Sequence, residues 1–256
     1  MRLHVRVQGQ GADLVLLHGW AMHSGVFDDL LPALTRSYRV HCIDLPGHGH
    51  SAYHHEMNSI DALTEAVKPY VPQKAIVLGW SLGGQVALQI AHQMPLSALV
   101  LVSTTPKFIA SEDWSAGMTQ GVFTQFFTRL HENHLMTVQD FLTLQVRGDL
   151  QASETLSRLR ETLLQCPPET EALYDGLTIL RDVDLRDVLP QLNIPTLVIS
   201  GEYDRITHPS AGEYLAKAMQ QAQFALCKRA GHAPFISHQS WFIARLQEFL
   251  QTVPTI

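Results

Sequence analysis

Short apolar runs alternate with helical periodicities through the first hundred residues. Leu3 to Val7 alternates apolar and polar positions, and Leu14 to Leu17 is continuously apolar. Alternation marks a half-buried strand and a continuous run marks a strand buried on both faces. The glycines between them predict a turn, so the two strands are expected to form an opening hairpin. Phe27 to Leu34 predicts a short helix, and Arg39 to Ile43 a strand. Asn58 or Ser59 is placed to cap a helix running through Val67. Ala75 to Gly79 is the next buried strand. After it Val86, Ile90 and Met94 recur every four residues, with Ala87 and Ala91 beside them, which is one face of a helix. Ala98 to Ser103 follows as a strand. This rhythm predicts an α/β protein with a mostly parallel central sheet and helices on both faces.

The rhythm breaks after Thr105. Between Lys107 and Arg186 no segment reads as a strand. Helical patterns occupy 114–131, 137–146, 153–165 and 169–180, with Gly148 and Pro167-Pro168 as breaks. The pattern predicts an all-helical insertion, residues 107–186, acting as a cap on a core made of residues 1–106 and 187–256. The sheet resumes with Thr196 to Ser200. A helix over 209–220, a strand from Gln223 to Lys228 and a helix from Gln239 to Leu250 complete the expected fold.

Composition narrows the function classes. The 256 residues are 46% hydrophobic, enough for a sizeable core, and no stretch is long and apolar enough to span a membrane. The first residues, MRLHVRVQGQG, run into a strand pattern rather than a signal peptide. The net charge is −6 without a basic run, which argues against nucleic acid as a partner. The three cysteines are widely spaced; Cys42 and Cys227 fall in expected strands and read as small buried thiols. A cytoplasmic monomer is the expected state. The 14 histidines raise the question of a metal, but the densest group, His54-His55-Glu56, sits in an expected loop without helical spacing. No metal or organic cofactor is expected.

The chemistry centres on Gly79-Trp80-Ser81-Leu82-Gly83, a G-x-S-x-G pentapeptide between an expected strand and an expected helix. Turning from strand to helix within one residue pushes Ser81 out of the chain, and the flanking glycines leave room for the turn. The Leu82 N–H, at the helix start, then faces any oxyanion formed beside Ser81. A serine needs a base, and the base an orienting carboxylate. In an open parallel sheet these groups gather after the C-terminal ends of strands. Asp204 follows the 196–200 strand and His232 follows the 223–228 strand. Asp182, Asp184 and Glu202 are alternative acids, and His208 and His238 alternative bases. The order Ser81, Asp204, His232 is the one in which this constellation occurs in parallel-sheet hydrolases. Leu14 to Leu17 ends in His18-Gly19-Trp20, where the Trp20 N–H can supply a second oxyanion donor. His18 is expected to shape that turn.

Together HGW at 18–20, DLPGHGHS at 44–51, GWSLGG at 79–84, the 201–204 loop and GHAPF at 231–235 resemble the α/β-hydrolase superfamily. FLTLQ at 141–145, GLTIL and VDLR within 176–186, and HAPFISH at 232–238 resemble a narrower family, the pimeloyl-[acyl-carrier protein] methyl ester esterases of biotin synthesis. That resemblance implies a serine carboxylesterase that frees the pimeloyl ω-carboxylate and releases methanol, with an acyl-carrier protein bearing the ester as partner and small esters as further substrates. It implies Ser81, Asp204 and His232 as catalytic residues and Trp20 and Leu82 as oxyanion donors. It also implies substrate contacts from Trp20, Ser81, Leu82, His232 and the segment Phe141, Leu142, Thr143, Leu144 and Gln145.

Carrier proteins are acidic, yet residues 107–187 hold seven basic side chains against 13 acidic ones. Docking therefore requires a local patch, for which Arg129, Arg147, Arg158 and Arg160 are the candidates. The triad alone leaves open a general short-chain esterase, a lactonase or a carbon–carbon bond hydrolase, and a non-catalytic small-molecule receptor on the same scaffold. Dehalogenases and epoxide hydrolases that resemble this scaffold use aspartate where Ser81 stands.

Overall fold

Leu14, Val15, Leu16 and Leu17 are completely buried, and a strand with no exposed face also needs partners on both edges. It finds them in a seven-stranded sheet seen in the computed structural model, which describes residues 2–253. The strands are β1 (Val5–Gln8), β2 (Ala12–Leu17), β3 (Tyr38–Ile43), β4 (Ile76–Trp80), β5 (Ala98–Val102), β6 (Thr196–Gly201) and β7 (Ala222–Cys227). Their spatial order is β1-β3-β2-β4-β5-β6-β7. β1 runs antiparallel to β3; all other neighbours are parallel.

This order corrects the opening hairpin. β1 does not pair with β2, because β3 lies between them, with Leu14 opposite Val40 and Leu17 opposite Ile43. The half-exposed β1 suits a sheet edge, whereas the apolar β2 takes parallel partners on both sides, β3 and β4. Periodicity identified both strands but carried no information on which edge each would accept.

The helices are α1 (Leu31–Leu34), α2 (Ile60–Val67), α3 (Leu82–Gln93), α4 (Gln120–Glu132), α5 (His134–Gln145), α6 (Ala152–Gln165), α7 (Thr170–Asp182), α8 (Pro209–Ala218), α9 (Pro234–Ser237) and α10 (Gln239–Thr252). Ser59 caps α2 by accepting the Ala62 N–H at 3.1 Å. A 3₁₀ turn over Ser24–Leu30 precedes α1 where one short helix was expected. Between β5 and β6 lie α4 to α7. The expected helix from 114 begins only at Gln120, because the preceding residues are tied down by bridges pairing Ile109 with Met118 and Ser111 with Trp114. The Trp114 indole N–H also donates to the Lys107 carbonyl, at 2.9 Å.

The junction of β4 and α3 is the tightest point of the sheet. Ser81 has φ 55° and ψ −118°, a conformation costly for any residue with a side chain. The first turn of α3 lies against the end of β4: a Cβ on Gly79 would sit 2.3 Å from the Gly83 carbonyl oxygen. Ser81 is held in place by its N–H on the Val102 carbonyl, at 2.9 Å, and by its own carbonyl, which accepts the Gly84 N–H at 2.9 Å.

The loops after β2 and β3 interlock through buried polar groups. His18 Nδ1–H donates to the Gly19 carbonyl, and His18 Nε2 accepts the Leu45 N–H, both at 2.9 Å. Asp44 accepts the Ser24 and His50 N–H groups, at 2.8 and 3.0 Å. His48 Nδ1–H donates to the Pro46 carbonyl at 2.9 Å. Burial pushes His18 down to about 3 and His48 down to about 4, with each histidine's charge further opposed by its imidazole neighbours. Both are therefore neutral in the fold, as the acceptor role of His18 Nε2 also requires.

Two stability predictions follow from this geometry. Ser81→Gly removes the strain and Ser81→Ala does not, so the glycine variant should be more stable by about 1–2 kcal/mol in urea unfolding. Equal stabilities would mean the turn is unstrained. In an unfolded chain, histidine protonates near pH 6.5, whereas the folded His48 binds its proton only near 4. Below about pH 6.5 the unfolded state therefore binds more protons, and stability falls as pH drops towards the folded value. His48→Asn should show a shallower loss of Tm between about pH 6.5 and 5, where ordinary carboxylates have barely begun to protonate. An unchanged slope would contradict the buried-neutral assignment.

Candidate active site

The strand ends bring three loops around Ser81. Asp204 follows β6 and His232 follows β7, and both side chains are buried. Asp204 Oδ2 accepts from His232 Nδ1 at 2.8 Å. The other contacts of that carboxylate fix its direction: Oδ1 accepts the Ile206 and Thr207 N–H groups at 2.8 and 3.0 Å, and Oδ2 also accepts the Thr207 hydroxyl at 2.9 Å. A carboxylate held by three further donors presents one lone pair to the imidazole and sets its tautomer, leaving Nε2 as the acceptor. His232 Nε2 is buried and has no hydrogen-bond partner, so the bond between Ser81 and His232 is not made in this conformation. Such contacts commonly tighten only once substrate is bound.

His232 is placed from below by Trp80. The Trp80 indole N–H donates to the His232 carbonyl at 2.9 Å, and the two rings lie 5.6 Å apart. The residue before Ser81 therefore carries the backbone of the His232 loop. This role was not legible in the sequence, since it is a contact between loops far apart in the chain; Thr207 lies three residues after Asp204 and holds its carboxylate from within the same loop.

Gly19 approaches Ser81 closely: a Cβ there would lie 3.1 Å from the Ser81 Cβ. Trp20 follows Gly19 in the chain and lines the same cavity as Ser81. Among the described residues, neither the Trp20 nor the Leu82 N–H is hydrogen-bonded to a protein acceptor. The Trp20 indole swings the other way and donates to the Leu173 carbonyl at 2.9 Å, tying the first loop to α7.

Above Ser81 is a small apolar cavity of about 50 Å³. Its walls include Trp20, Phe126, Phe141, Leu144, Leu177 and Ile206. Trp20 and Phe141 meet edge to face at 4.9 Å. Outside it, α4, α5 and the start of α6 border an open groove of about 740 Å³ that shares Val122, Phe126, Phe141 and Leu144 with the cavity. Of the 141–145 segment, Phe141 and Leu144 therefore line the cavity and Thr143 lines only the outer groove. Leu142 is buried in the hydrophobic core, and Gln145 is buried with neither end of its carboxamide hydrogen-bonded. The structure does not place Leu142, Thr143 or Gln145 at the cavity wall, because consecutive residues on a helix face different directions. Leu177 and Ile206 were not read from the sequence as cavity residues; for Leu177 the apolar stripe of α7 was the available signal.

The alternative acids and bases are engaged elsewhere. Asp182 pairs with Arg181, and Asp184 with Lys107 and Arg186. Glu202 accepts from Lys228 and from the Arg229 N–H, both at 2.9 Å. His208 caps α8 by accepting the Ser210 N–H. The basic side chains are also dispersed: Arg129 is paired with Asp140, and Arg158 with Asp29 and Glu154. Among the described residues no group of three or more His, Cys, Asp or Glu side chains could hold a metal, and His54, His55 and Glu56 are exposed.

Residues 14–245 match the Alpha/beta hydrolase family. A pimeloyl-[acyl-carrier protein] methyl ester esterase of Nitrosomonas europaea is 41% identical over 245 residues, 94% of this chain and 97% of that protein. The protein of the same name in Nitrosospira multiformis is 39% identical over 96% of this chain and 97% of its own length. Among solved structures, an esterase from Exiguobacterium antarcticum superposes with a TM-score of 0.90 over 98% of this chain and 96% of its own, at 20% identity. At that identity the likeness speaks for the fold alone. A match spanning nearly the whole sheet, together with relatives near 40% identity end to end, places this chain in the alpha/beta hydrolase family, in the group that contains the pimeloyl-[acyl-carrier protein] methyl ester esterases.

Proposed function

We propose that this chain is a serine carboxylesterase that hydrolyses the methyl ester of pimeloyl-acyl-carrier protein, giving methanol and pimeloyl-acyl-carrier protein. The observation that carries the reaction class is the buried Asp204–His232 pair, 2.8 Å apart, beside a serine held on a strained strand-to-helix turn. Near-full-length similarity to proteins bearing that esterase name supports the substrate.

Each step uses a group already in place. Ser81 Oγ attacks the ester carbonyl carbon while His232 Nε2 takes the hydroxyl proton. Asp204, facing Nδ1, stabilises the imidazolium that forms. The carbonyl oxygen becomes an oxyanion and receives the N–H groups of Trp20 and Leu82, with the start of α3 adding its dipole. The tetrahedral adduct collapses, its C–O bond to the methoxy group breaks, and His232 returns the proton to the leaving oxygen as methanol departs. Water, deprotonated by His232, then attacks the acyl-enzyme. Collapse of the second adduct frees the carboxylate and restores the Ser81 hydroxyl.

Residues 107–186 act in this reading as a cap whose apolar face selects the acyl chain. A cavity of about 50 Å³ has room for one or two groups the size of water. A seven-carbon chain must therefore continue from Ser81 towards the outer groove, past Phe126, Phe141 and Leu144. All these groups come from one chain, so a monomer suffices. No helix among the described residues is long and apolar enough to cross a membrane, and we place the enzyme in the cytoplasm. The groove, not Arg158, adjoins the cavity, so the docking patch is drawn to Arg147 and Arg129 rather than to Arg158 and Arg160.

Ser81→Ala should lower kcat towards methyl esters by several orders of magnitude, on the order of 10⁶ where such triads have been dissected. It should also abolish covalent labelling by a fluorophosphonate; an Ser81→Ala enzyme at full rate rules out serine catalysis. His232→Ala should also lower kcat by several orders of magnitude, and a full-rate variant excludes His232 as the base. In cells that need biotin and lack a pimeloyl methyl ester esterase, the gene should restore growth. Failure to do so by an enzyme active on small methyl esters would favour a general short-chain esterase.

A further inference from the structure

The loop that carries His232 is fastened to the α5–α6 connection as well as to the sheet. Three hydrogen bonds join them. The His232 N–H donates to the Gln145 carbonyl at 2.8 Å, the Gly231 N–H to Asp149 Oδ2 at 2.7 Å, and the Leu150 N–H to the Arg229 carbonyl at 3.0 Å. The approach is close enough to demand glycine at 231, where a Cβ would fall 2.3 Å from the Gln145 carbonyl oxygen. Asp149 is buried, and its second oxygen accepts the Gln151 N–H at 2.8 Å. Among the described residues it has no lysine, arginine or histidine partner within ion-pair distance. A buried carboxylate without a cation is costly unless its oxygens are satisfied, and here backbone N–H groups on both sides of the seam do that.

We propose that Asp149 is a positioning residue for the base: its carboxylate locks residues 229–232 to residues 145–150, so that His232 keeps its place only while α5 keeps its own. The inference rests on the reading of His232 as the base. It follows from the path of α5, which places Phe141 and Leu144 in the cavity wall and ends at the carbonyl that holds the His232 N–H. Phe141 and Leu144 thus lie within one turn of helix and one hydrogen bond of the His232 backbone. Because Asp149 does not touch the reacting atoms, its removal acts only through His232.

The test is a double-mutant cycle on a short activated ester, with Asp149→Asn and His232→Ala made singly and together. Asp149→Asn keeps the shape and an acceptor for Gln151, but sets an NH₂ group against the Gly231 N–H or loses the Gln151 contact. The expected result is a loss of about tenfold or more in kcat with KM little changed, and a loss of less than about twofold when His232 is already alanine. An equal loss in both backgrounds would assign Asp149 a general structural role, and no loss in the wild-type background would remove it from the mechanism. If His232→Ala alone retains full rate, it is the base assignment that fails. Asp149→Ser, with a shorter acceptor, should recover part of the rate lost in Asp149→Asn. In the unmodified protein the Leu150, Gly231 and His232 amides should exchange with solvent as one protected group; independent exchange of the Leu150 amide would also overturn the proposal.

Discussion

The turn at Ser81 is the constraint from which the rest of the site follows. A parallel strand must deliver its chain to a helix on the sheet face within one residue, and the sheet supplies the force that holds it. β4 is central, paired to β2 and β5, and the Ser81 N–H is taken by Val102 at the end of β5. Against that frame, a strained φ of 55° is affordable, at a cost of about 1–3 kcal/mol. The same turn sets Ser81 directly before the first residue of α3, Leu82. Gly19 lies within contact distance of Ser81 in a loop that the neutral His18, bonded to the Gly19 carbonyl and the Leu45 N–H, ties to the loop after β3.

The helices α4 to α7 are inserted between β5 and β6. They are joined to the core at the groups that matter most to the chemistry. The Trp20 indole reaches α7, and the His232 loop is bonded to the end of α5. The helices that line the cavity above Ser81 thus also hold the loops that carry Trp20 and His232. In this arrangement specificity and catalytic alignment share residues, so substitutions in the cap are expected to affect turnover as well as substrate choice.

How much of this the sequence disclosed depends on the range of the interaction. The elbow is local: strand, pentapeptide and helix are contiguous, so periodicity and glycine spacing reveal it. Asp204 and His232 are distant in sequence but sit after strands, and the topology of parallel sheets brings such loops to one end. Pairing order is different. β1 was expected beside β2, yet β3 takes that place, since alternation says which face of a strand is buried and nothing about its neighbour. The same gap explains Trp80 and Asp149, whose roles are hydrogen bonds across 152 and 82 residues of the chain to the His232 loop. In the 141–145 segment the resemblance named five residues, whereas helical geometry turns only Phe141 and Leu144 into the cavity.

The central claim is that Ser81 carries the acyl group between two half-reactions. Intact-protein mass spectrometry of the enzyme mixed with pimeloyl-carrier-protein methyl ester and quenched in acid tests it most directly. The account predicts a transient acyl adduct that maps to Ser81 and decays as methanol and free carboxylate accumulate. Turnover accompanied by an adduct on another residue would contradict it.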